Sequence, residues 1–319
     1  MVRYLVTRLG QALIVVVLVT VITFIILHLL PGGVARATLG KEATLEQLAA
    51  FDHEMGYDQP WIQQYAMYVQ RLLHGDLGYS FQLNQSVTEA IAQRLPKTMV
   101  LSLLSTLLAV VVAIPLGVIQ AVRRNRWPDY AITSVSLLAY ATPIFFLGLM
   151  MIILFSQVWP VLPPEAPQGF TLAEVLADPA GLVLPTVTLA IVTIAVYSRY
   201  VRSSMVDNLN ENYVRTARSK GLSERRVVVL HTLRNGLFPV ITLLGMYLPA
   251  LFSGALVVES LFNFPGMGQL FWQAALKRDF PILLGVTLII SVATVFGALL
   301  ADLVYAAVDP RVRLRAGAS

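Results

Sequence analysis

Six long apolar runs constrain the fold of this chain more than any other feature. They cover residues 9–30, 98–122, 130–159, 182–200, 237–258 and 281–308. A helix of about 20 apolar residues spans the hydrocarbon core of a bilayer. Inside that core the backbone polar groups must be satisfied within the helix itself. The sequence therefore predicts an all-α, polytopic membrane protein with six transmembrane helices.

The composition agrees with a membrane protein and excludes several kinds of site. Of the 319 residues, 57% are hydrophobic and 13% are charged, whereas soluble domains carry about 25% charged residues. The chain has no cysteine, so it can form neither disulfides nor Cys-ligated metal sites. Its four histidines lack metal-ligand spacing, and we predict no metal site.

The first run could also be read as a signal peptide, because Arg3 and Arg8 precede it and Ala35-Arg36-Ala37 loosely resembles a cleavage site. The apolar region of a signal peptide is only about 7–15 residues long. This run is longer, which favours a first span that stays in the protein.

Residues 31–96 form a polar segment after the first span. Within it Trp61, Tyr65, Tyr68 and Leu72 recur at helical spacing and predict an amphipathic helix. Packing of this stripe on neighbouring spans explains it better than a ligand site does. Residues 75–78, Gly-Asp-Leu-Gly, predict a turn.

The distribution of basic residues fixes the orientation. With six spans, both termini and the segments 123–129 and 199–236 share one side of the membrane, and this side holds 16 of the 23 Lys and Arg residues. Loops rich in Lys and Arg face the cytoplasm. Both termini are therefore predicted to be cytoplasmic, and segment 31–96 to lie outside. The formal charge of +5 then reflects membrane topology rather than nucleic-acid binding.

No motif for chemistry within the chain is present. The sequence contains no Gly-x-x-x-x-Gly-Lys-Ser/Thr loop, Gly-x-Ser-x-Gly or His-Glu-x-x-His. Asp302 is the one acid clearly inside a predicted span, near its cytoplasmic end, where a structural partner is the favoured explanation. We therefore predict a non-catalytic subunit. Any energy for transport must come from another protein.

The polar segment 199–236, which we call the coupling loop, is the candidate contact with that protein. Tyr213, Ala217 and Leu222 are predicted to share one side of a short helix that Gly221 ends, and Ser223 is a candidate N-cap for the next. The alternative is a basic loop that lies on anionic headgroups. That alternative would explain the arginines but not the small residues at 217 and 221.

The sequence of this loop also resembles a known family. Residues 213–226 read Tyr-Val-Arg-Thr-Ala-Arg-Ser-Lys-Gly-Leu-Ser-Glu-Arg-Arg, and His-Thr-Leu-Arg-Asn follows at 231–235. The segment is similar to the EAA loop of permeases in binding-protein-dependent ABC importers, in the form typical of the oligopeptide/dipeptide branch. Arg215-Thr216-Ala217 replaces the usual Glu-Ala-Ala. Further matches lie at residues 30–32, 75–80, 142–148, 259–268, 278–281, 302–305 and 309–313. The long segment after span one resembles the first of the two permeases in such systems.

The resemblance implies a type I ABC importer permease fold, with an N-terminal span plus extracytoplasmic segment over 1–96 and a five-helix core over 97–319. It also implies three kinds of partner besides the bilayer: a second permease, two ATPase subunits that bind ATP and magnesium, and a solute-binding protein. No cofactor is expected in this chain. The location would be the plasma (inner) membrane of a bacterium or archaeon.

The resemblance also assigns roles to residues. The ATPase-coupling surface would be formed by Arg215, Ala217, Lys220, Gly221, Leu222 and Ser223. Glu259, Phe262, Pro265 and Gly266 would shape an extracytoplasmic gate or receptor face, although a capped turn between spans is the simpler explanation for them. Peptides are the expected substrate. Nickel, glutathione or another small solute stays open, as does an ATP-independent channel or carrier.

Overall fold

The computed structural model describes residues 2–29, 35–36, 39–40, 42–247, 250–253 and 255–308, of which 2–6, 8, 27, 246, 250, 253 and 301–308 are described by their backbone alone. The matches at 30–32 and 309–313 and the side chain of Asp302 lie outside this description. The described chain is almost entirely helical, and its single β-hairpin pairs β1 (Tyr79–Ser80) with β2 (Gln85–Ser86).

The helices follow the apolar runs, with shorter helices in the connections. In chain order the first ones are α1 (Val2–His28), α2 (Leu45–Met55), α3 (Trp61–Leu73), α4 (Val87–Val122), α5 (Trp127–Ala141) and α6 (Ile144–Ile152), which continues as a π-helix over Ile153–Val158. Then come α7 (Leu172–Ala177), α8 (Pro179–Leu209), α9 (Asn212–Ser219), α10 (Glu224–Arg226), a π-helical stretch (Val227–Thr232) and α11 (Leu233–Gly236). The last are α12 (Phe238–Tyr247), α13 (Ala250–Ser253), α14 (Leu256–Leu261), α15 (Met267–Lys277) and α16 (Phe280–Val308).

Five helical stretches are long and apolar enough to cross a membrane, and a bent helix pair raises the number to six. This agrees with the six spans predicted from the apolar runs. Helix α4 begins well before its apolar run, at an N-cap where the Ser86 hydroxyl accepts a hydrogen bond from the Glu89 amide. Because α4 continues through residues 96 and 97, the two-part division of the chain stays a prediction.

The third apolar run is not one continuous span. Helices α5 and α6 meet at an angle of 103°. Thr142, which precedes Pro143, has an extended backbone (ψ 129°), because the proline ring disfavours the helical conformation of the residue before it. The sequence predicted proline inside this span but did not predict so sharp a break.

The amphipathic helix predicted in the extracytoplasmic segment is present as α3, and its aromatic stripe packs on α1. The Tyr65 and Thr20 hydroxyls are 2.9 Å apart, and Nε2 of His28 lies 2.6 Å from the Gln64 side-chain oxygen. Phe24 contacts the Tyr65 ring edge-on at 5.4 Å. The predicted packing role of the stripe is therefore confirmed.

The predicted turn at residues 75–78 is also confirmed. Gly75 and Gly78 both have positive φ, and the Asp76 side chain accepts a hydrogen bond from the Gly78 amide at 2.9 Å.

Helices α4 and α8 form the centre of the membrane part. At Gly117 they are so close that an added Cβ would lie 2.5 Å from Cβ of Val201 and 2.7 Å from the Ser198 carbonyl oxygen. Ala113 and Val201 are fully buried in this contact. The glycine is needed here because the two backbones approach closely.

A buried ion pair joins α5 to the cytoplasmic part of α8. Nε and one terminal nitrogen of Arg202 donate to the two carboxylate oxygens of Asp129, each at 2.7 Å. Asp129 is buried, and it also accepts a hydrogen bond from the Asn125 amide at 3.0 Å. The pair fixes the register between the two helices. The pair could not be predicted from the sequence because its partners are 73 positions apart.

Candidate functional site

The coupling loop is a folded helical hairpin carried by two long helices. Helix α8 extends to Leu209, well past the apolar run that ends at residue 200. At about 1.5 Å per residue this extension carries the loop roughly 13 Å beyond the apolar run. On the return side, helical structure continues from Glu224 to Gly245. The loop is therefore joined to two spans by nearly continuous helix.

Helix α9 ends at Gly221 in the way the sequence predicted. Gly221 has φ +76°, a left-handed conformation that residues with a Cβ rarely adopt. Its amide donates to the Arg218 carbonyl at 2.9 Å, and the Leu222 amide donates to the Ala217 carbonyl at 3.4 Å. This pair of bonds is a Schellman motif. A Cβ added at Gly221 would meet no atom within 4 Å, so the chain itself leaves that space open.

A small hydrophobic cluster holds the hairpin closed. Val214, Ala217 and Val227 are buried together, with Tyr213 and Leu222 packed against them. The predicted shared face of Tyr213, Ala217 and Leu222 is thus observed, but Ala217 is only 5% exposed and faces the loop's own core. Its small size is required by this packing. The expectation that Ala217 permits close approach by another protein has no support from its position.

The outer surface of the hairpin is basic and exposed. Arg215, Lys220 and Ser223 are exposed, as is Gly221 at the tip. Arg218 pairs with Glu224 across the turn, with a shortest distance of 2.6 Å. The hydrogen bonds to Glu224 raise the pKa of Arg218 above its usual value. This pair was not predicted from the sequence. Its two residues are six positions apart on either side of a glycine that ends a helix, and that spacing could have indicated the pair.

Ser223 occupies the N-cap position that was predicted, with an extended backbone before α10. Its hydroxyl makes no capping hydrogen bond, so the capping role predicted for the side chain is wrong. The Ser223 carbonyl accepts the Val227 amide at 3.0 Å and starts the helix through the backbone alone.

The second predicted group of residues surrounds a buried carboxylate. Glu259 is fully buried at the end of α14. One of its oxygens accepts a hydrogen bond from the Thr98 hydroxyl at 2.9 Å, and the other accepts the Gln269 amide at 3.1 Å, in the first turn of α15. The Thr98 hydroxyl in turn accepts the Met267 amide at 2.8 Å. Glu259 therefore links α4, α14 and the N-terminus of α15.

The other three residues of this group are buried as well, and Gly266 lies directly against the carboxylate. An added Cβ at Gly266 would lie 2.4 Å from a Glu259 carboxylate oxygen and 2.6 Å from the Thr98 hydroxyl. Phe262 and Pro265 are buried as well. The Phe262 carbonyl accepts the Ala166 amide from the preceding extracytoplasmic loop at 2.8 Å. Because all four are buried, they form no receptor face in this conformation, and the capped turn describes them better. A role in gating stays a prediction.

No metal site accompanies either group of residues. Within the described ranges, no three His, Asp or Glu side chains are grouped closely enough to hold a metal ion. The polar atoms around Glu259 are used in hydrogen bonds between helices, and Arg215 and Lys220 of the coupling loop are exposed.

Comparison with known proteins identifies the family. Residues 113–314 match the family described as binding-protein-dependent transport system inner membrane component, and residues 1–102 match its N-terminal membrane component. The chain is 36% identical to the oligopeptide transport system permease protein AppB of Bacillus subtilis, over 98% of this chain and 99% of the relative. It is 35% identical to the glutathione transport system permease protein GsiC of Escherichia coli, over 99% and 100% of the two chains. It is 33% identical to the dipeptide transport system permease protein DppB of Escherichia coli, over 98% and 99%. The chain belongs to the family of inner membrane components of binding-protein-dependent transport systems.

Proposed function

We propose that this chain is the first permease subunit of an ATP-driven peptide importer and forms half of its translocation path. One observation supports this proposal above the others. The coupling loop is a closed, basic hairpin whose two ends continue as helix into two spans. The names of the relatives, which transport oligopeptides, dipeptides and glutathione, support peptides as the substrate class.

The hairpin geometry supports a coupling role. Gly236 packs against Met205, where an added Cβ would be 2.6 Å from the sulfur, and Thr232 is buried with its hydroxyl donating to the Val227 carbonyl at 3.1 Å. The ascending and descending arms are thus packed together. A partner that displaces the hairpin would move α8 and the fifth span together, which could bias the helices between two states.

The partners follow from the same proposal. A second permease would complete the path, two ATPase subunits would receive the coupling loops, and a solute-binding protein would deliver the substrate from outside. ATP and magnesium would bind in the ATPase subunits. The ATPase-coupling surface would consist of Arg215, Lys220, Gly221, Leu222 and Ser223, with Ala217 holding that surface in shape. The complex would lie in the plasma (inner) membrane of a bacterium or archaeon.

Purification and transport together test the proposal. The tagged chain, isolated in mild detergent, should retain a second permease and an ATPase with a phosphate-binding loop. The complex in vesicles, supplied with its binding protein, should take up a labelled dipeptide or tripeptide only when ATP is present. ATP-dependent uptake of glutathione but not of other peptides would narrow the substrate. ATP-independent movement of solute by the chain alone would refute the importer.

A further inference from the structure

A cationic cavity lies between α5 and α8, where the coupling loop begins at residues 199–203, and its lining includes neither the hairpin tip nor Glu259. Its volume is about 600 Å³, and it is lined by Val196 together with Thr133, Tyr140, Arg199, Tyr200, Arg202 and Ser203. Neither the family comparison nor the proposed function assigns a role to this cavity.

The cavity carries one uncompensated positive charge. Asp129 neutralises Arg202 through the two 2.7 Å hydrogen bonds already described. Arg199 is exposed and has no ion-pair or hydrogen-bond partner among the side chains that the structure describes. Tyr140 and Tyr200 also line the cavity, and a tyrosine hydroxyl can donate a hydrogen bond. An unpaired guanidinium with neighbouring hydroxyls is suited to a phosphate group.

The position of the cavity in the membrane favours a lipid headgroup as the source of such a phosphate group. Arg199 lies at the cytoplasmic end of the fourth apolar run, on the side that holds 16 of the 23 basic residues. This is the depth of lipid headgroups, where tyrosines are also enriched. On the neighbouring face of α5, Leu137 is 56% exposed and Leu138 is 69% exposed. These leucines lie between Thr133 and Tyr140 along α5, so an exposed apolar surface borders the cationic cavity at the same depth.

From these observations we propose that the cavity binds the headgroup of an anionic phospholipid from the cytoplasmic leaflet. The phosphodiester contacts Arg199 and the Tyr200 hydroxyl, while the acyl chains lie along Leu137 and Leu138. Basic pockets between spans on the cytoplasmic side are suited to this ligand. The bound lipid joins α5 and α8 at the same point as the Asp129–Arg202 pair. This proposal does not depend on the substrate of the transporter.

Lipid titration of the purified full-length chain tests the proposal. Delipidated protein is titrated with phosphatidylglycerol and, separately, with phosphatidylcholine of the same acyl chains, and bound lipid is counted by native mass spectrometry. Wild type should prefer phosphatidylglycerol. Arg199→Gln should weaken phosphatidylglycerol binding about fivefold, because one basic residue contributes about 1 kcal/mol at the membrane surface. Tyr200→Phe should give a smaller loss. Arg124→Gln is the matched control, since Arg124 is an exposed arginine on the same side but outside the cavity, and it should bind as wild type.

Three results would overturn the proposal. The first is equal phosphatidylglycerol binding by Arg199→Gln and Arg124→Gln. The second is that inorganic phosphate alone prevents the binding of phosphatidylglycerol. That result would make the cavity a site for free phosphate rather than for lipid. The third is displacement of phosphatidylglycerol by a peptide with a free carboxylate but not by its amide, which would assign the cavity to the transported substrate.

Discussion

Substitution of Gly221 can separate the folding role of this residue from a docking role. Its φ of +76° disfavours any residue with a Cβ, and the left-handed conformation costs such a residue about 1–2 kcal/mol. Asparagine adopts this conformation more readily than other non-glycine residues. Since nothing lies within 4 Å of an added Cβ, Gly221→Asn should fold with little loss of stability. An obstacle to its side chain can then come only from a partner.

The chain contains a matched control for this substitution. Gly75 has φ +77° and also has no atom within 4 Å of an added Cβ. It ends α3 in the same motif: its amide donates to the Leu72 carbonyl, and the Asp76 amide donates to the Arg71 carbonyl, each at 3.0 Å. The backbone cost of Gly75→Asn should therefore equal that of Gly221→Asn. Gly75 lies in the segment predicted to be extracytoplasmic, out of reach of the proposed ATPase subunits.

The assay measures thermal stability of each variant in detergent and ATP-dependent peptide uptake in vesicles. Both asparagine variants should unfold within a few degrees of wild type. Uptake should fall more than about tenfold, equivalent to about 1.4 kcal/mol of lost coupling, in Gly221→Asn, and it should be unchanged in Gly75→Asn. Gly221→Glu should abolish uptake while the subunit still inserts. Wild-type uptake by stably inserted Gly221→Asn and Gly221→Glu would refute the docking role of the hairpin tip.

Three further substitutions test the packing. Glu259→Gln replaces an acceptor with an amide group that faces donors, and it should lower the free energy of unfolding by about 1–3 kcal/mol; a thermal midpoint equal to wild type would show that the carboxylate is not needed there. Asp129→Asn should lower the free energy of unfolding by roughly 2 kcal/mol, less than the 3–5 kcal/mol of a fully buried pair, because the Arg202 side chain is 31% exposed. The double variant with Arg202→Met should recover part of that loss. Strictly additive losses from the two substitutions would contradict the pairing. Gly117→Ala should lower the free energy of unfolding by about 1–3 kcal/mol, because it overpacks α4 against α8. Gly10→Ala, with open space around its Cβ, should leave the stability unchanged. Equal thermal midpoints for the two variants would rule out the close contact.

The parts of the fold set by local sequence were predictable. The apolar runs gave the number of spans, the stripe beginning at Trp61 gave helix α3, and Gly221 gave the end of α9. Each of these depends on periodicity, span length or the φ of one residue, which can be read within a short window. The sequence indicated a bend at Pro143 but not its size, because proline in a membrane helix can bend it slightly or end it. The packing around it decides which.

The parts set by contacts distant in sequence were not predictable. Glu259 looks like a surface acid, because acids are seldom fully buried without partners. Its main partners, the Thr98 hydroxyl and the Gln269 amide, come from other helices. Ala217 was assigned to an intermolecular contact, yet Val227 on the next helix buries it. In both cases the residue type marked the position as notable, but the sequence did not show which residue it contacts.

The closed hydrophobic cluster of the coupling hairpin makes this segment a self-contained module. Tyr213, Val214, Ala217, Leu222 and Val227 form one cluster, and the Tyr213 hydroxyl donates to the Asn208 side-chain oxygen at 2.8 Å, so residues 208–227 carry these interactions. A graft of this stretch onto a related permease would keep its form without redesign of the recipient's spans. Exposed positions such as Arg215 and Lys220 could then vary independently of the internal packing. Importers that shared this hairpin fold could thus select different ATPase subunits through a few exposed side chains.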